Sequence, residues 1–303
     1  MIRYDKWYEK EPFNAFWEKA FAEEGALFSG GVSFELLEIL PALPKNAKVL
    51  DLGCGDGKNS LFLAKYGCDV TAIDRSPQAI NKLRSLATKL NVRISADVGD
   101  IRTYNIHREY DLIMSHGVLF CLTRDEWQDL LNRVIKKTKD GGINIHATII
   151  FNKKYPILPE FAVAHYMNSF RQKELGSFYK NWTNIRYDIY VKWDRHPGLN
   201  THCHPIEKLV VQKGDKPSFR IKKLRLSNSS ISQQLFNSIT IDTSNNDFFA
   251  CCGKPDLIQR FIASADYCFE LLYYGKYVFY MVNSNVVGKA IFFSKPTMAT
   301  CII

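Results

Sequence analysis

Between residues 48 and 151, short apolar runs alternate with segments whose apolar positions recur every three or four residues. Lys48-Val-Leu-Asp-Leu52, Asp69-Val-Thr-Ala-Ile73, Val92-Arg-Ile-Ser-Ala96, Tyr110-Asp-Leu-Ile-Met-Ser115 and Ile143 to Phe151 have the length and apolar content of buried strands. Asn59 to Tyr66, Pro77 to Leu90 and Asp125 to Lys137 have helical spacing. Ser76 stands as an N-cap with Pro77 at the first helical position, and Thr123 lies near the start of the third helix. Strands that alternate with helices predict βαβ units, hence parallel strands with right-handed crossovers. Farther on, Phe170 to Tyr179 reads as helical, and Thr183 to Trp193 with Pro205 to Val211 as a closing antiparallel pair.

The expected fold is therefore α/β: a Rossmann-like, doubly wound, mostly parallel sheet with an antiparallel last strand, plus a small α+β C-terminal domain. Gly214-Asp-Lys-Pro217 is a turn cluster and marks the expected boundary, giving units 1–213 and 214–303. In the second unit Lys222 to Leu226 predicts a strand, Pro255 to Leu272 a helix, and Tyr277 to Phe293 a hairpin turning at Asn283-Ser-Asn285. That order is faintly similar to the first half of an N-acetyltransferase fold, without the strand and glycine loop that would cradle acetyl-CoA. The plainer reading is an accessory or dimerisation domain. At the other end, Pro12 to Leu27 predicts an amphipathic helix through Phe13, Phe16, Trp17, Ala20 and Phe21. It either packs on the core or, with Tyr4, Trp7 and Tyr8, forms a lid.

Composition narrows the class. At 303 residues and 46% hydrophobic, the chain can bury a sizeable core. The net charge of +9 is spread: 30 Lys+Arg against 25 Asp+Glu in residues 1–213, and 10 against 6 in 214–303. Nucleic-acid binding demands clustered charge, so it is not expected. No apolar run reaches about 18 residues, so no membrane span is expected. The eight cysteines form no C-x-x-C pair, and Cys251-Cys252 are adjacent, which suits neither a disulfide nor a common metal spacing. With no apolar signal core at the N-terminus, free thiols predict a cytoplasmic protein.

The chemistry concentrates where the first strand meets its helix, at Asp51-Leu-Gly53-Cys-Gly55-Asp-Gly57. In open α/β sheets ligands bind at the carboxyl ends of the strands. A dinucleotide site calls for G-x-G-x-x-G, but here the third glycine falls one residue early and position 58 is Lys. Asp51 would repel a pyrophosphate and suits an ammonium. S-adenosylmethionine (SAM) carries an ammonium and a sulfonium and no phosphate, so SAM is expected over NAD. Asp74 closes the second strand, where a carboxylate can accept from two ribose hydroxyls. After the third strand, Asp97 can accept from an adenine amino group while the next N–H, at Val98, addresses a ring nitrogen. Asp100 competes for that role.

These residues resemble the class I SAM-dependent methyltransferases and, within them, the tellurite-resistance (TehB-type) branch. The likeness rests on Val49 to Ser60, Asp69 to Asp74, Ala96-Asp97-Val98, Tyr110 to Leu122, Lys139-Asp-Gly-Gly142, the N-terminal Tyr-Asp-Lys-Trp-Tyr and His202-Cys-His-Pro-Ile-Glu-Lys-Leu-Val-Val211, and covers about residues 1–213. The resemblance implies that Asp51, Gly53, Gly55 and Gly57 hold the amino-acid end of SAM, with Cys54, Asn59 and Arg75 also in the cofactor site. It implies that Asp74 serves the ribose, that Asp97 and Val98 serve the adenine, and that Ser115 and Val118 lie near the methionine moiety. Residues 104–106 add to the shorter family loop and leave Asp97 or Asp100 open.

The expected activity is in-line methyl transfer to a small, soft nucleophile such as tellurite, selenite or a thiol, which needs little base assistance. Candidate acceptor-side residues are His116, His196, His202 and His204. His202 and His204 share a strand face as a polar wall or as an exposed edge pair. Cys203 points the other way, so no metal is expected. Arg186 and Arg195 could attract an oxyanion, but lone arginines are usually solvated, which is the expected state. Ser115-His-Gly-Val stands where an amino-methylating enzyme would carry Asn/Asp-Pro-Pro-Tyr/Phe. Two alternatives are a SAM-binding regulatory or interaction module with a degenerate acceptor site, and a macromolecule methyltransferase guided by the C-terminal unit. Neither the acceptor nor the oligomeric state is legible.

Overall fold

A computed structural model describes residues 32–155, 170–194, 201–214, 219–223, 231–241, 243–264, 267–293 and 297–301, together with Trp17, Glu18, Phe21 and Ala22. Most of the Pro12–Leu27 helix expectation, Tyr4, Trp7, Tyr8, Arg195, His196 and residues 215–217 of the boundary cluster lie outside them. Trp17, Glu18, Phe21 and Ala22 are helical.

In chain order the first unit runs α1 (Phe34–Ile39), β1 (Lys48–Leu52), α2 (Lys58–Lys65), β2 (Asp69–Asp74), α3 (Pro77–Lys89), β3 (Ser95–Val98), β4 (Tyr110–His116), α4 (Arg124–Lys136), β5 (Thr138–Ile149), β6 (Thr183–Asp194) and β7 (His202–Gln212). The predicted caps form. Ser76 accepts from the Ala79 N–H at 3.0 Å, and Thr123 and Glu126 close a reciprocal capping box on α4. Trp127, Leu130, Leu131 and Val134 fall at helical spacing and are fully buried, so one stripe of α4 meets the sheet. In place of the expected Phe170–Tyr179 helix stands a 3-10 turn over Leu175–Tyr179.

The sheet has the order β3-β2-β1-β4-β5-β7-β6, with β1 to β5 parallel and β7 antiparallel between β5 and β6. Successive residues of β1 face opposite layers. Leu50 and Leu52 pack with Trp127 and Leu130, while Val49 packs with Leu36, Ile39, Phe62 and Leu63 from α1 and α2. Both faces are thus covered, as parallel strands require.

The second unit contains β8 (Phe219–Lys223), α5 (Gln233–Ser238), α6 (Asn245–Cys252), β9 (Leu257–Ser264), β10 (Tyr267–Tyr274), β11 (Tyr277–Val282), β12 (Asn285–Phe292) and β13 (Thr297–Cys301). The helix expected over Pro255–Leu272, on which the N-acetyltransferase likeness drew, is not formed; β9 and β10 pair antiparallel there. The reason is a period of two. Leu271 and Tyr273 enter one apolar cluster, Leu272 and Tyr274 another, on opposite faces of the strand. The Tyr277–Phe293 hairpin forms, with Asn283 and Ser284 in the left-handed region at its turn (φ +46° and +68°). Strand β12 pairs antiparallel with β6, so the sheet runs on without a break through β12-β11-β10-β9. Strands β8 and β13 form a separate pair.

Candidate active site

One cavity of about 640 Å³ opens at the carboxyl ends of β1, β2 and β4 and extends along the sheet toward β12. Its first wall is the loop after β1. Gly53 and Gly57 hold φ +69° and +83°, conformations that cost a residue with a Cβ. Space forbids one as well: a Cβ would stand 2.6 Å from the Val118 side chain at Gly53 and 2.2 Å from Leu83 Cδ1 at Gly57. The Gly53 and Cys54 amides both donate to the Ile73 carbonyl, at 2.8 and 3.1 Å, which ties this loop to the end of β2.

The next residue on β2 is Asp74. Its carboxylate accepts from the Gly55 amide at 2.8 Å and the Ser76 amide at 2.9 Å. Two carboxylate oxygens offer about four acceptor positions, so capacity remains for hydroxyls entering the cavity. Asp51 is buried and accepts from Ser60 Oγ at 2.6 Å. Burial outweighs that hydrogen bond and pushes its pKa up to about 6. A buried acid of this kind gains most from an incoming cation. Cys54, Asn59, Arg75 and Val118 also line the cavity.

Strand β3 ends at Val98, two residues later than the sequence suggests. Its carboxyl-end loop is therefore Gly99-Asp100-Ile101, all three lining the cavity. Asp97 and Val98 are exposed and outside the lining, and Asp97 pairs with Arg84 at 3.3 Å. Burial raises the Asp100 carboxyl, but hydrogen bonds and charge from Arg102 more than offset this and hold it below the usual range.

The cavity also contains charges that the sequence did not announce. His116 Nε2 lies 2.6 Å from Glu35 Oε1, and Lys208 Nζ donates to Glu35 Oε2 at 2.6 Å. Burial pushes Glu35 up, yet Lys208 and His116 together hold it well below the usual carboxylate range. The other ring nitrogen, Nδ1, faces Asn59 Nδ2 at 3.4 Å. With the Nε2 proton donated to Glu35, Nδ1 presents a lone pair (the tautomer follows from the partners). Asn59 also accepts from the Ser33 amide at 2.9 Å, so it fixes the approach to α1.

Arg186 is buried, not solvated as expected: Nη1 donates to Glu38 at 2.9 Å and Nε to Asp188. The signal was present but faint. Glu35 and Glu38 sit three apart on a short helix, and Arg186, Asp188, Tyr190 and Lys192 repeat at the period of a strand face. His202 and His204 are buried on an internal strand, so the edge-pair expectation does not hold; their rings meet edge-on at 4.6 Å. His204 lines the cavity and His202 does not. Ser115 turns to the opposite face, where it meets His146 Nδ1 at 2.7 Å, with His146 Nε2 2.7 Å from the Tyr179 hydroxyl.

Residues 34–194 match the family model described as tellurite resistance protein TehB. The chain belongs to the TehB family. Over 141 residues it is 34% identical to the probable S-adenosyl-L-methionine-dependent methyltransferase TehB of Haemophilus influenzae, a stretch covering 46% of this chain and 48% of that protein. It is 30% identical over 141 residues to hemagglutinin 1 of Eikenella corrodens, covering 46% and 45%. The crystal structure of TehB from Haemophilus influenzae superposes with a TM-score of 0.53 at 28% identity, over 60% of this chain and 62% of that one. The matched stretches span about half the length of these curated relatives. The family match ends at residue 194, before β9 to β12.

Proposed function

We propose that this chain is a SAM-dependent methyltransferase acting on a small molecule with a soft nucleophile of the thiol, selenite or tellurite kind. The observation that carries the reading is that one cavity holds a glycine-turned loop, three acids at the ends of β1, β2 and β3, and a histidine set against a buried glutamate. The glycine loop fits a ligand without phosphates. Asp51 would hold the ammonium, with Gly53 and Gly55 at the amino-acid end. Asp74 would accept from the ribose hydroxyls, and Asp100 with the Ile101 amide would meet the adenine in place of Asp97 and Val98. When bound, SAM would supply an electrophilic methyl group on its sulfonium, with a neutral thioether as the leaving group.

The remaining work falls to the chain. His116 Nδ1 receives the proton of an S–H acceptor, and Glu35 keeps the ring in that tautomer. Lys208 holds Glu35 ionised. Val118 and Phe120 help exclude water at the methyl end. Six free cysteines among the described residues support a reducing compartment, hence the cytoplasm. Among the described residues no helix is long and apolar enough to cross a membrane. The test is thiol-dependent formation of S-adenosylhomocysteine (SAH) at pH 7. His116→Ala is expected to lower kcat by about 10²-fold or more, to recover as pH passes the thiol's own pKa, and to bind SAH as the wild type does. A substitution effect unchanged across that pH range would remove His116 from the proton step.

A further inference from the structure

The cavity continues past the charged cluster onto strands that lie outside the family match. Strand β12 sets Phe292 directly opposite Tyr190 of β6, and the rings stack at 4.8 Å with 13° between planes. Ile206 stands beside Tyr190 on β7. Tyr280 of β11 faces Leu271 of β10 in register, and its ring lies 5.3 Å from Lys192 Nζ. All of these side chains line the same cavity as Asp51 and His116. Opposite Tyr280 the chain places Gly288, where a Cβ would come within 3.2 Å of the Trp193 carbonyl and 3.4 Å of Lys192 Cε. A side chain there would close the row.

Two features define what this wall suits. Its surface is aromatic and aliphatic, and aromatic faces favour planar groups in offset stacking. Two cations of the cavity beside this wall are already matched: Lys208 by Glu35, and Arg186 by Glu38 and Asp188. A multiply charged oxyanion would have to break those pairs. A neutral ring would not.

We propose that the segment 214–303 completes the acceptor site through Leu271, Tyr280 and Phe292, and that the acceptor is an aryl thiol. Its ring lies along Tyr190, Phe292 and Tyr280, and its sulfur faces His116. This rests on the methyl-transfer reading and narrows it. The test uses the whole chain and calorimetric titration with thioanisole, the methylated form of the simplest aryl thiol, with and without SAH, and with dimethyl sulfide for comparison. Thioanisole is expected to bind at least tenfold more tightly than dimethyl sulfide. Tyr280→Ala, which removes the ring, and Leu271→Trp, which fills the space, are each expected to weaken thioanisole tenfold or more while SAH affinity stays within twofold. If Leu271→Trp fails to fold, Tyr280→Ala alone carries the comparison. Equal binding of the two sulfides, or a folded Tyr280→Ala that binds thioanisole as the wild type does, overturns the proposal. Thioanisole binding with those losses but without SAH binding supports the subsite and removes the methyl-transfer reading.

Discussion

Helix α2 is flanked by two glycines with the same backbone angle: Gly57 at its N-cap and Gly67 just past its C-terminus, both at φ +83°. Replacing either with alanine forces an L-residue into the left-handed region, at about 1–2 kcal/mol, less the 0.4–1 kcal/mol or so by which alanine restricts the unfolded chain. At Gly67 nothing stands within 4 Å of the new methyl group. At Gly57 it would meet Leu83 Cδ1 at 2.2 Å and Cγ at 2.5 Å. Leu83 is fully buried with Ile80, Ala72 and Ala96, so it cannot swing away. Overpacking of that kind adds about 1–3 kcal/mol. Gly67→Ala is therefore expected to cost about 0–1.6 kcal/mol, and Gly57→Ala about 1–3 kcal/mol more. Guanidinium unfolding of both variants reads the difference as a shift in midpoint at constant slope. SAH affinity should fall in Gly57→Ala and persist in Gly67→Ala. Equal stability losses would show that Leu83 yields, and that the close packing of loop and α3 is not what demands glycine at position 57.

Asp51, with its pKa near 6, makes cofactor affinity depend on pH. An ammonium partner favours the ionised acid, so the Kd for SAH should rise as pH falls from 7 to 5, approaching tenfold per unit below pH 6, and Asp51→Asn should flatten the profile. A pH-independent Kd would mean that Asp51 does not face the ligand's charge. Arg186→Met leaves Glu38 and Asp188 buried without their cation and should cost about 3–5 kcal/mol in denaturant unfolding; a loss below about 1 kcal/mol would show water reaching that cluster.

The strand–helix alternation was legible from residue 48 to 151 because each element satisfies its local rules at once: apolar period, cap and turn residue. Asp51 and Asp74 line the cavity, as their place at the ends of parallel strands predicts. The choice between Asp97 and Asp100 was left open by the length of a strand, and Asp100 is the one that lines the cavity. Val92–Ala96 reads as extended from its alternation, whereas pairing with β2 begins at Ser95 and carries the strand to Val98, shifting the loop to Asp100. Glu35 and Glu38 were only faintly legible and Lys208 not at all, since each looks like a solvated charge until β6, β7 and α1 bring opposite signs together. Pro255 to Leu272 misled for another reason. Leu, Phe and Tyr suit either a buried helix or a buried strand, and only the neighbouring β11 decides between them.

The account turns on what fills the cradle formed by Asp51, Gly53, Gly55 and Asp74. Calorimetric titration of the folded wild-type chain with SAH, beside NAD and beside Asp74→Asn, tests it most directly. The account predicts binding of SAH in the micromolar range, no heat with NAD, and a tenfold or greater loss, about 1.4 kcal/mol, in the variant. A folded wild-type chain that binds NAD, or that does not bind SAH, would contradict it.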